Sequence, residues 1–293
     1  MDMRIEICGV KWKNPITTAS GTFSAIESGK FYDVTDLGAV TTKGVAVTAW
    51  DGNPTPRIAE TYGGMLNAVG LQNPGVDAYI EGDLKLLKGL GATVIANVAG
   101  HSIPDYCEVV EKLDETDVDM LEINVSCPNI KKGGISLGTN ADDVAVLTKE
   151  IKALTSKPII IKLTPNVTDI CEIAKSAEAS GADALSLINT LLGMRIDIRT
   201  GKPVLANQTG GLSGPAIKPV AVAAVYRVSR AVNIPVIGMG GVMTGEDAYE
   251  FLLAGAKAVA VGTAALIDPS APVRIIEELN ECFEKYGLPS SNG

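Results

Sequence analysis

The sequence predicts an α/β fold, a (β/α)8 TIM barrel with an N-terminal β-hairpin and long βα loops over its C-terminal face. Eight short apolar runs occur in series, helical patterns separate them, and 293 residues suit one such barrel. The runs are nearly all apolar instead of alternating, as expected for strands covered by helices outside and by side chains inside. An open doubly wound sheet is the alternative.

Each apolar run predicts one barrel strand. In chain order the runs are Pro15–Ala19, Ala39–Lys43, Thr93–Val98, Met120–Val125, Pro158–Leu163, Ala184–Asn189, Pro235–Gly238 and Ala258–Val261. Between the strands, segments such as Ala141–Leu154 and Ala216–Ala231 carry apolar residues at helical spacing. We expect one domain that spans residues 1–293.

Three further segments shape the two ends of the predicted barrel. Arg4–Lys13 has the pattern of a hairpin that turns near Cys8 and Gly9, and it could plug the N-terminal end. At the other end, the connections Val45–Asn73 and Thr190–Ser213 exceed the usual length of a βα loop. Long ordered loops at the C-terminal ends of strands usually build a site.

Composition excludes several classes of function. The balance of 25 Lys+Arg against 34 Asp+Glu gives a net charge of -9, which repels nucleic acids and anionic lipid surfaces. Since there is neither a membrane-spanning run nor a signal peptide, we expect a cytoplasmic protein. The 5 cysteines form no CxxC pair and there is 1 histidine, so we predict no metal site and no Ser-His-Asp triad. Any redox cluster would lie on another chain.

Polar residues stand where the predicted strands end, which is where barrel enzymes place their chemistry. These residues are Ser20, Lys43, Asn97, Asn124, Lys162 and Asn189. Each of them alone has an ordinary interpretation as a loop or capping residue. Six of them at one rim indicate a functional site.

The last two predicted strands run into Gly240-Gly241 and Gly262-Thr263, just before predicted helices. Glycines at this end of a barrel let backbone N–H groups approach phosphate oxygens closely. Simple turn geometry is the alternative interpretation. The paired positions favour a phosphorylated ligand.

Two lysines and one cysteine are the reactive candidates. Lys43 and Lys162 end strands two and five, where a cation can stabilise a reduced flavin, bind a carboxylate or form a Schiff base. Cys127 follows strand four on a glycine-rich loop over the predicted mouth. Because most free cysteines are buried and inert, position alone leaves the role of Cys127 open.

With these residues assembled, the chain resembles the class 1 dihydroorotate dehydrogenases, and more closely their NAD+-linked 1B branch. The resemblance covers essentially the whole chain. It rests on Asn14–Thr22, Thr42–Gly44, Gly52–Pro54, Pro56-Arg57, Asn67–Gly75, Asn124–Asn129 and the two glycine sites.

The resemblance implies an FMN-binding catalytic subunit that oxidises (S)-dihydroorotate to orotate in de novo pyrimidine biosynthesis, with Cys127 as general base. A cysteine base implies either a lowered pKa of Cys127 or an alkaline activity optimum. The implied substrate-binding residues are Lys43, Asn67, Asn124, Asn189 and Thr190, with Ala68, Val69, Gly70 and Leu71 covering the substrate. The implied contacts of one FMN per chain are Ser20, Lys43, Gly44, Asn97, Asn124, Lys162, Ile188 and Gly214, with Gly240, Gly241, Gly262 and Thr263 at its phosphate.

The resemblance also implies a partner. In the 1B branch the barrel pairs with an iron–sulfur subunit that carries FAD and a 2Fe-2S cluster and passes electrons to NAD+, in a heterotetramer built on a barrel homodimer. The other class 1 branch consists of homodimers that use fumarate directly. The segment Asn67–Gly75 favours the NAD+-linked branch.

Two other enzyme classes remain open, and a barrel that only binds a ligand is a weaker third alternative. One is another flavin pyrimidine oxidoreductase, similar to dihydropyrimidine dehydrogenase, which also presents a cysteine after strand four. Orotate carries a carboxylate that uracil lacks, so dependence on Lys43 separates the two. The other class is a Schiff-base aldolase that uses Lys162, but it leaves Cys127 and the asparagines without a role.

Overall fold

The eight predicted strands form one parallel sheet in the structure, a computed structural model that describes residues 1–126 and 137–289. In these residues the strands are β1 (Ile5–Ile7), β2 (Val10–Trp12), β3 (Ile16–Thr18), β4 (Val40–Thr41), β5 (Ile58–Thr61), β6 (Gly64–Asn67), β7 (Val94–Val98), β8 (Met120–Asn124), β9 (Ile159–Lys162), β10 (Ala184–Leu187), β11 (Leu191–Met194), β12 (Ile196–Asp197), β13 (Lys202–Pro203), β14 (Thr209–Ser213), β15 (Val236–Met239) and β16 (Ala258–Val261).

Helices separate the barrel strands. In the described residues the α-helices are α1 (Ala25–Ser28), α2 (Val76–Tyr79), α3 (Lys85–Leu90), α4 (Ile103–Asp114), α5 (Ala141–Lys152), α6 (Ile170–Ala179), α7 (Lys218–Val228), α8 (Gly245–Leu253), α9 (Thr263–Ile267) and α10 (Ala271–Tyr286). A π-helical turn, Ile80–Leu84, joins α2 to α3. Short 3₁₀ helices cover Val34–Asp36, Leu137–Thr139 and Pro215–Ile217. None of these helices is long and apolar enough to cross a membrane.

The barrel sheet has the order β3-β16-β15-β10-β9-β8-β7-β4, and its paired neighbours are parallel. Its two outer strands meet through a side chain. Thr18 Oγ1 donates to the backbone oxygen of Thr41 at 2.9 Å and accepts from the Thr41 N–H at 3.0 Å. The strands therefore close into a barrel, which confirms the predicted fold and rules out the open doubly wound sheet.

The N-terminal hairpin fills the bottom of the barrel, as predicted. Its turn residues Cys8 and Gly9 have φ of 51° and 82°, values typical of a tight two-residue hairpin turn. Ile7 and Trp12 are buried in one cluster with inward-facing residues of the barrel strands, among them Met120. An apolar floor thus closes the N-terminal end.

The upper interior of the barrel is polar. Alternate residues of a strand face the same side, so the positions two residues after Ile95, Met120 and Ile160 also point inward. Those positions hold Asn97, Glu122 and Lys162, all buried. The switch from apolar to polar places the functional groups toward the C-terminal mouth.

The outer helices show the pattern that the sequence predicts. In α5, Asn140 caps the first turn by accepting from the N–H groups of Asp142 and Asp143, and Val144, Leu147 and Ile151 are buried at helical spacing. The segment predicted at 216–231 contains α7 at residues 218–228. Both helix predictions are confirmed within a few residues.

The two long connections contain strands that the sequence analysis treated as loops. Strands β5 and β6 come from the first connection and β11 and β14 from the second, and they form a four-stranded sheet of order β11-β14-β6-β5. Asn67 of β6 pairs with Gly211 of β14. The connections stand over the C-terminal face as one antiparallel unit because they supply each other's hydrogen-bonding partners.

Candidate functional site

Two lysines at the mouth differ in how their charges are balanced. Lys162 is buried at the end of β9, and its Nζ lies 3.8 Å from Oε1 of Glu122. Lys43 follows β4, and no described residue forms a hydrogen bond or an ion pair with its ammonium group. Burial lowers the pKa of Lys43, and the charge of Lys162 lowers it further. Among the described residues, Lys43 is therefore an uncompensated cation at the mouth, which suits an anionic ligand.

Asn97 presents an acceptor without a partner. Its Nδ2 donates to Glu122 Oε1 at 2.6 Å, and its Oδ1 is buried with no hydrogen-bond partner among the described residues. Gly44 lies against this oxygen, since a Cβ at position 44 would be 2.6 Å from it. Because an unsatisfied buried acceptor is costly, Asn97 Oδ1 marks a place where a donor from a ligand fits.

The end of β8 is fixed by its neighbours. The backbone oxygen of Asn124 accepts from the Tyr106 hydroxyl at 2.7 Å, and Asn124 pairs in register with Lys162. Ser126 Oγ donates to the backbone oxygen of Lys162 at 3.0 Å. These contacts hold the chain up to Ser126. Cys127, the predicted base, lies outside the described residues, as do residues 128–136.

Two residues of the predicted phosphate site, Gly241 and Thr263, come together with Gly214, which was predicted to line the flavin. Gly241 has a φ of 78°, and a Cβ on it would lie 2.9 Å from the backbone oxygen of Gly214. A Cβ on Gly214 would in turn lie 3.6 Å from Cγ2 of Thr263, whose hydroxyl donates to Ser213 Oγ at 2.8 Å. A side chain at either glycine would fill this backbone cradle, so the cradle depends on glycine.

The remaining flavin-lining candidates extend from this cradle around the rim. Gly240 abuts Ile188, since a Cβ at position 240 would lie 3.4 Å from Ile188 Cγ1. Gly262 lies beside Ala19, the residue before Ser20, with 3.3 Å between the corresponding Cβ positions. Residues that follow four consecutive strands of the barrel sheet, β10, β15, β16 and β3, thus border one mouth.

The segment predicted to cover the substrate arches back over the rim. Ala68 is buried, and Val69, Gly70 and Leu71 are half-buried. Leu71 Cδ2 would lie 3.7 Å from a Cβ on Gly44. The segment therefore lies close to the Gly44–Asn97 contact.

Asn53 holds this covering segment in place. Its Nδ2 donates to the backbone oxygen of Ala68 at 3.0 Å, and its N–H donates to that of Val69 at 3.0 Å. Arg57 accepts from the Ala68 N–H at 2.7 Å through its backbone oxygen. Asn53 and Arg57 were predicted only as part of the family resemblance, without a role at the site.

The residues that follow β10 are hydrogen-bonded to the loop that follows β9. The Asn189 N–H donates to the Leu163 backbone oxygen at 3.0 Å, and the Thr190 N–H donates to Asn189 Oδ1 at 2.7 Å. Asn166 Nδ2 donates to the Thr190 backbone oxygen at 2.9 Å. Asn67 reaches the same region, with its Nδ2 3.5 Å from the Gly211 backbone oxygen.

Asn166 and Glu122 were not among the predicted site residues. Asn166 follows Thr164-Pro165 after strand five, and a polar residue there was the available signal. Glu122 has a stronger signal, because a carboxylate within the apolar run Met120–Val125 needs partners if it is buried. Its spacing from Asn124 also places it on the inward face of the strand.

The fold and the site define a (β/α)8 barrel with a polar, cationic mouth at the C-terminal ends of its strands. A family model described as dihydroorotate dehydrogenase matches residues 2–283, and the chain belongs to this family. Family membership makes the chain an oxidoreductase that converts dihydroorotate to orotate in pyrimidine biosynthesis.

Curated relatives support the same family and the predicted branch. The chain is 58% identical over 98% of its length to "Dihydroorotate dehydrogenase B (NAD(+)), catalytic subunit" of Alkaliphilus metalliredigens, covering 96% of that protein. It is 56% identical over 100% of its length to the protein of the same name from Lachnoclostridium phytofermentans, covering 98% of it. The recognition made from the sequence is confirmed.

A solved structure supports the fold. The crystal structure of dihydroorotate dehydrogenase in complex with ferulenol from Eimeria tenella aligns with a TM-score of 0.80 and 22% identity. The alignment covers 99% of this chain and 86% of the other. At this identity the likeness shows a common fold alone.

Proposed function

We propose that the barrel mouth binds FMN and dihydroorotate together, and that the electrons pass through a partner subunit to NAD+. This proposal rests on two groups at one rim of the barrel, neither of which has a partner among the described residues. They are the ammonium of Lys43 and the buried acceptor Asn97 Oδ1. A flavin and a carboxylate substrate supply the donor and the anion that these groups lack.

FMN fits the described residues. The unsatisfied Asn97 Oδ1 suits the N–H of a flavin ring, and the cradle of Gly214, Gly241 and Thr263 suits its phosphate. The residues that would hold the cofactor are Ser20, Lys43, Gly44, Asn97, Asn124, Lys162, Ile188, Gly214, Gly240, Gly241, Gly262 and Thr263. Bound there, FMN supplies an acceptor for a hydride.

Dihydroorotate supplies an anion for Lys43, which has no partner among the described residues. Its carboxylate suits the ammonium of Lys43, and its ring imide suits the side chains of Asn67, Asn124, Asn189 and Thr190. The segment from Ala68 to Leu71 covers the bound substrate and keeps water away from it.

The reaction forms a C5=C6 double bond by removing a proton from C5 and a hydride from C6 of dihydroorotate. Cys127 accepts the C5 proton as its thiolate, so the thiol is regenerated and must lose that proton before the next turnover. Lys43 and the asparagines hold the ring during these transfers. The 3.8 Å separation of Lys162 Nζ from Glu122 Oε1 favours an ionic role for Lys162, whereas the Schiff-base alternative leaves Cys127 and the asparagines without a role.

The electron outlet is proposed from the relatives. Their names specify a catalytic subunit and NAD(+), which supports a separate electron-transfer subunit. We assign to that subunit the FAD and the 2Fe-2S cluster, in a cytoplasmic heterotetramer built on a homodimer of this barrel.

Reconstitution with FMN tests the site. We expect about one FMN per chain, and we expect orotate to perturb the visible spectrum of the bound flavin. Lys43→Ala should weaken this orotate response while leaving the response to uracil, which lacks the carboxylate, nearly unchanged. A chain that takes up no FMN, or one that responds to uracil and ignores orotate, would overturn the assignment.

A further inference from the structure

One carboxylate lies at the centre of the polar layer beneath the mouth. Glu122 is 2% exposed, and its two oxygens have different partners. Oε1 accepts from Asn97 Nδ2 at 2.6 Å and lies 3.8 Å from Lys162 Nζ. Oε2 accepts from Ser186 Oγ at 2.7 Å. Glu122, on β8, therefore connects three inward-facing residues from β7, β9 and β10.

The contact with Asn97 determines which end of that amide is available. A carboxylate accepts hydrogen bonds and cannot donate them, so Asn97 must turn its NH2 group toward Glu122. This leaves Asn97 Oδ1 as the group without a partner among the described residues. Glu122 thereby makes Asn97 an acceptor for the ligand.

The contact with Lys162 sets the charge of the site. Lys43 and Lys162 both lie at the mouth, and Glu122 is near only one of them. Without this carboxylate the described residues would place two ammonium groups at the mouth, the buried one of Lys162 and the half-buried one of Lys43, with no anion close to them. An uncompensated buried charge is strongly unfavourable, whereas a paired one is tolerated.

We propose that Glu122 is a positioning residue that turns Asn97 Oδ1 toward the flavin and tunes the reduction potential of bound FMN by compensating Lys162. This inference rests on the proposed FMN site. A packing role alone does not require an ionised side chain, since a buried apolar residue fills the same volume without needing partners.

Two substitutions separate charge from orientation. Glu122→Gln keeps the shape and an oxygen that can accept from Asn97, but it removes the negative charge. Because a reduced flavin carries more negative charge than an oxidised one, E122Q should raise the midpoint potential of bound FMN while retaining affinity within a few fold. Glu122→Ala also releases the Asn97 amide and should weaken FMN binding about tenfold or more.

Ser186→Ala is the matched control, because it removes one hydrogen bond to Glu122 and leaves the charge in place. Its shift in midpoint potential should be much smaller than that of E122Q. If E122Q does not fold, Lys162→Gln can be compared with the double variant E122Q/K162Q. These two proteins differ only in the charge at position 122, and the double variant leaves neither member of the ion pair without its partner. The double variant should have the higher potential.

The experiment is a spectroelectrochemical titration of FMN-loaded protein, with FMN affinity measured in parallel. A midpoint potential in E122Q equal to that of the parent protein, with S186A also unchanged, contradicts this inference while leaving the proposed function intact. A parent chain that binds no FMN overturns the proposed function, and this inference with it.

Discussion

Thr18 closes the barrel against Thr41 through its side chain, donating to the Thr41 backbone oxygen at 2.9 Å and accepting from the Thr41 N–H at 3.0 Å. Both residues are buried. The hydroxyl therefore occupies the place of a backbone partner at the seam between the first two barrel strands, where a buried polar group without a partner is costly.

Replacing Thr18 with valine should destabilise the barrel. Valine has nearly the same shape but leaves the Thr41 N–H and C=O without their partner, at a cost of about 1–3 kcal/mol. Urea unfolding monitored by circular dichroism would show a lower midpoint at an unchanged slope. Thr18→Ser keeps the hydroxyl and should lose less stability than T18V. Equal unfolding midpoints for T18V and T18S would disprove the role of the hydroxyl.

Substituting Gly44 should damage cofactor binding. An alanine Cβ would lie 2.6 Å from Asn97 Oδ1, so Asn97 must move from its place at the mouth. We expect Gly44→Ala to bind FMN at least about tenfold more weakly, as for the loss of one good hydrogen bond. Titration of the FMN-free protein with FMN measures this change.

Gly89→Ala is the control for G44A. Gly89 is exposed in α3, and a Cβ there would meet nothing within 4 Å. Alanine in a helix is more favourable than glycine by about 0.5–1 kcal/mol, so G89A should be slightly stabilised and should bind FMN normally. Equal FMN affinity of G44A and G89A would contradict the assigned contact.

Substrate affinity should fall as pH rises toward the alkaline range. Burial and the charge of Lys162 lower the pKa of Lys43 from its ordinary value of 10.5, so its ammonium form is lost at a lower pH than that of an exposed lysine. Affinity for the substrate carboxylate is full below this pKa and declines as pH rises through it.

The measurement is the dissociation constant of orotate as a function of pH in the Cys127→Ala background, because orotate carries the same carboxylate and cannot reduce the flavin. Lys43→Met in the same background should bind more weakly and should show no such decline. The explanation fails if both proteins lose affinity in parallel, because the titrating group would then be another residue.

Removing the thiol of Cys127 should slow flavin reduction about a hundredfold or more, the usual contribution of a general base. Stopped-flow measurement of anaerobic reduction by dihydroorotate gives this rate directly. Cys171→Ala is the control, since Cys171 is a half-buried thiol on the outer helix α6. Equally slow reduction in both variants would point to a general effect of losing a cysteine and not to a base.

Much of the fold could be predicted because its elements leave local signals. All eight predicted barrel strands are present in the described residues, and so is the Cys8-Gly9 hairpin turn. The sheet of β5, β6, β11 and β14 was missed because its pairing joins segments far apart in sequence, such as Asn67 with Gly211. Three of those segments, β6, β11 and β14, contain glycine, which is uncommon in strands. That all 293 residues form one domain stays a prediction.

The residues of the candidate site were predictable where they end a strand and less so where they lie inside the barrel or in a loop. Lys43, Asn97 and Lys162 stand where polar residues interrupt apolar runs, so their positions in the sequence predicted a role at the site. The hydrogen bonds of Glu122 and Asn166 depend on which strands are neighbours, and a single sequence does not contain that information. The role of Cys127 rests on resemblance, since Cys127 lies outside the described residues.

The most direct test of the account is anaerobic addition of dihydroorotate to the FMN-loaded chain, with the visible flavin band monitored and dihydrouracil added to a parallel sample. We predict that dihydroorotate bleaches the band and that dihydrouracil leaves it nearly unchanged. A flavin band that persists with dihydroorotate, or that bleaches only with dihydrouracil, would contradict the central claim that this mouth oxidises dihydroorotate.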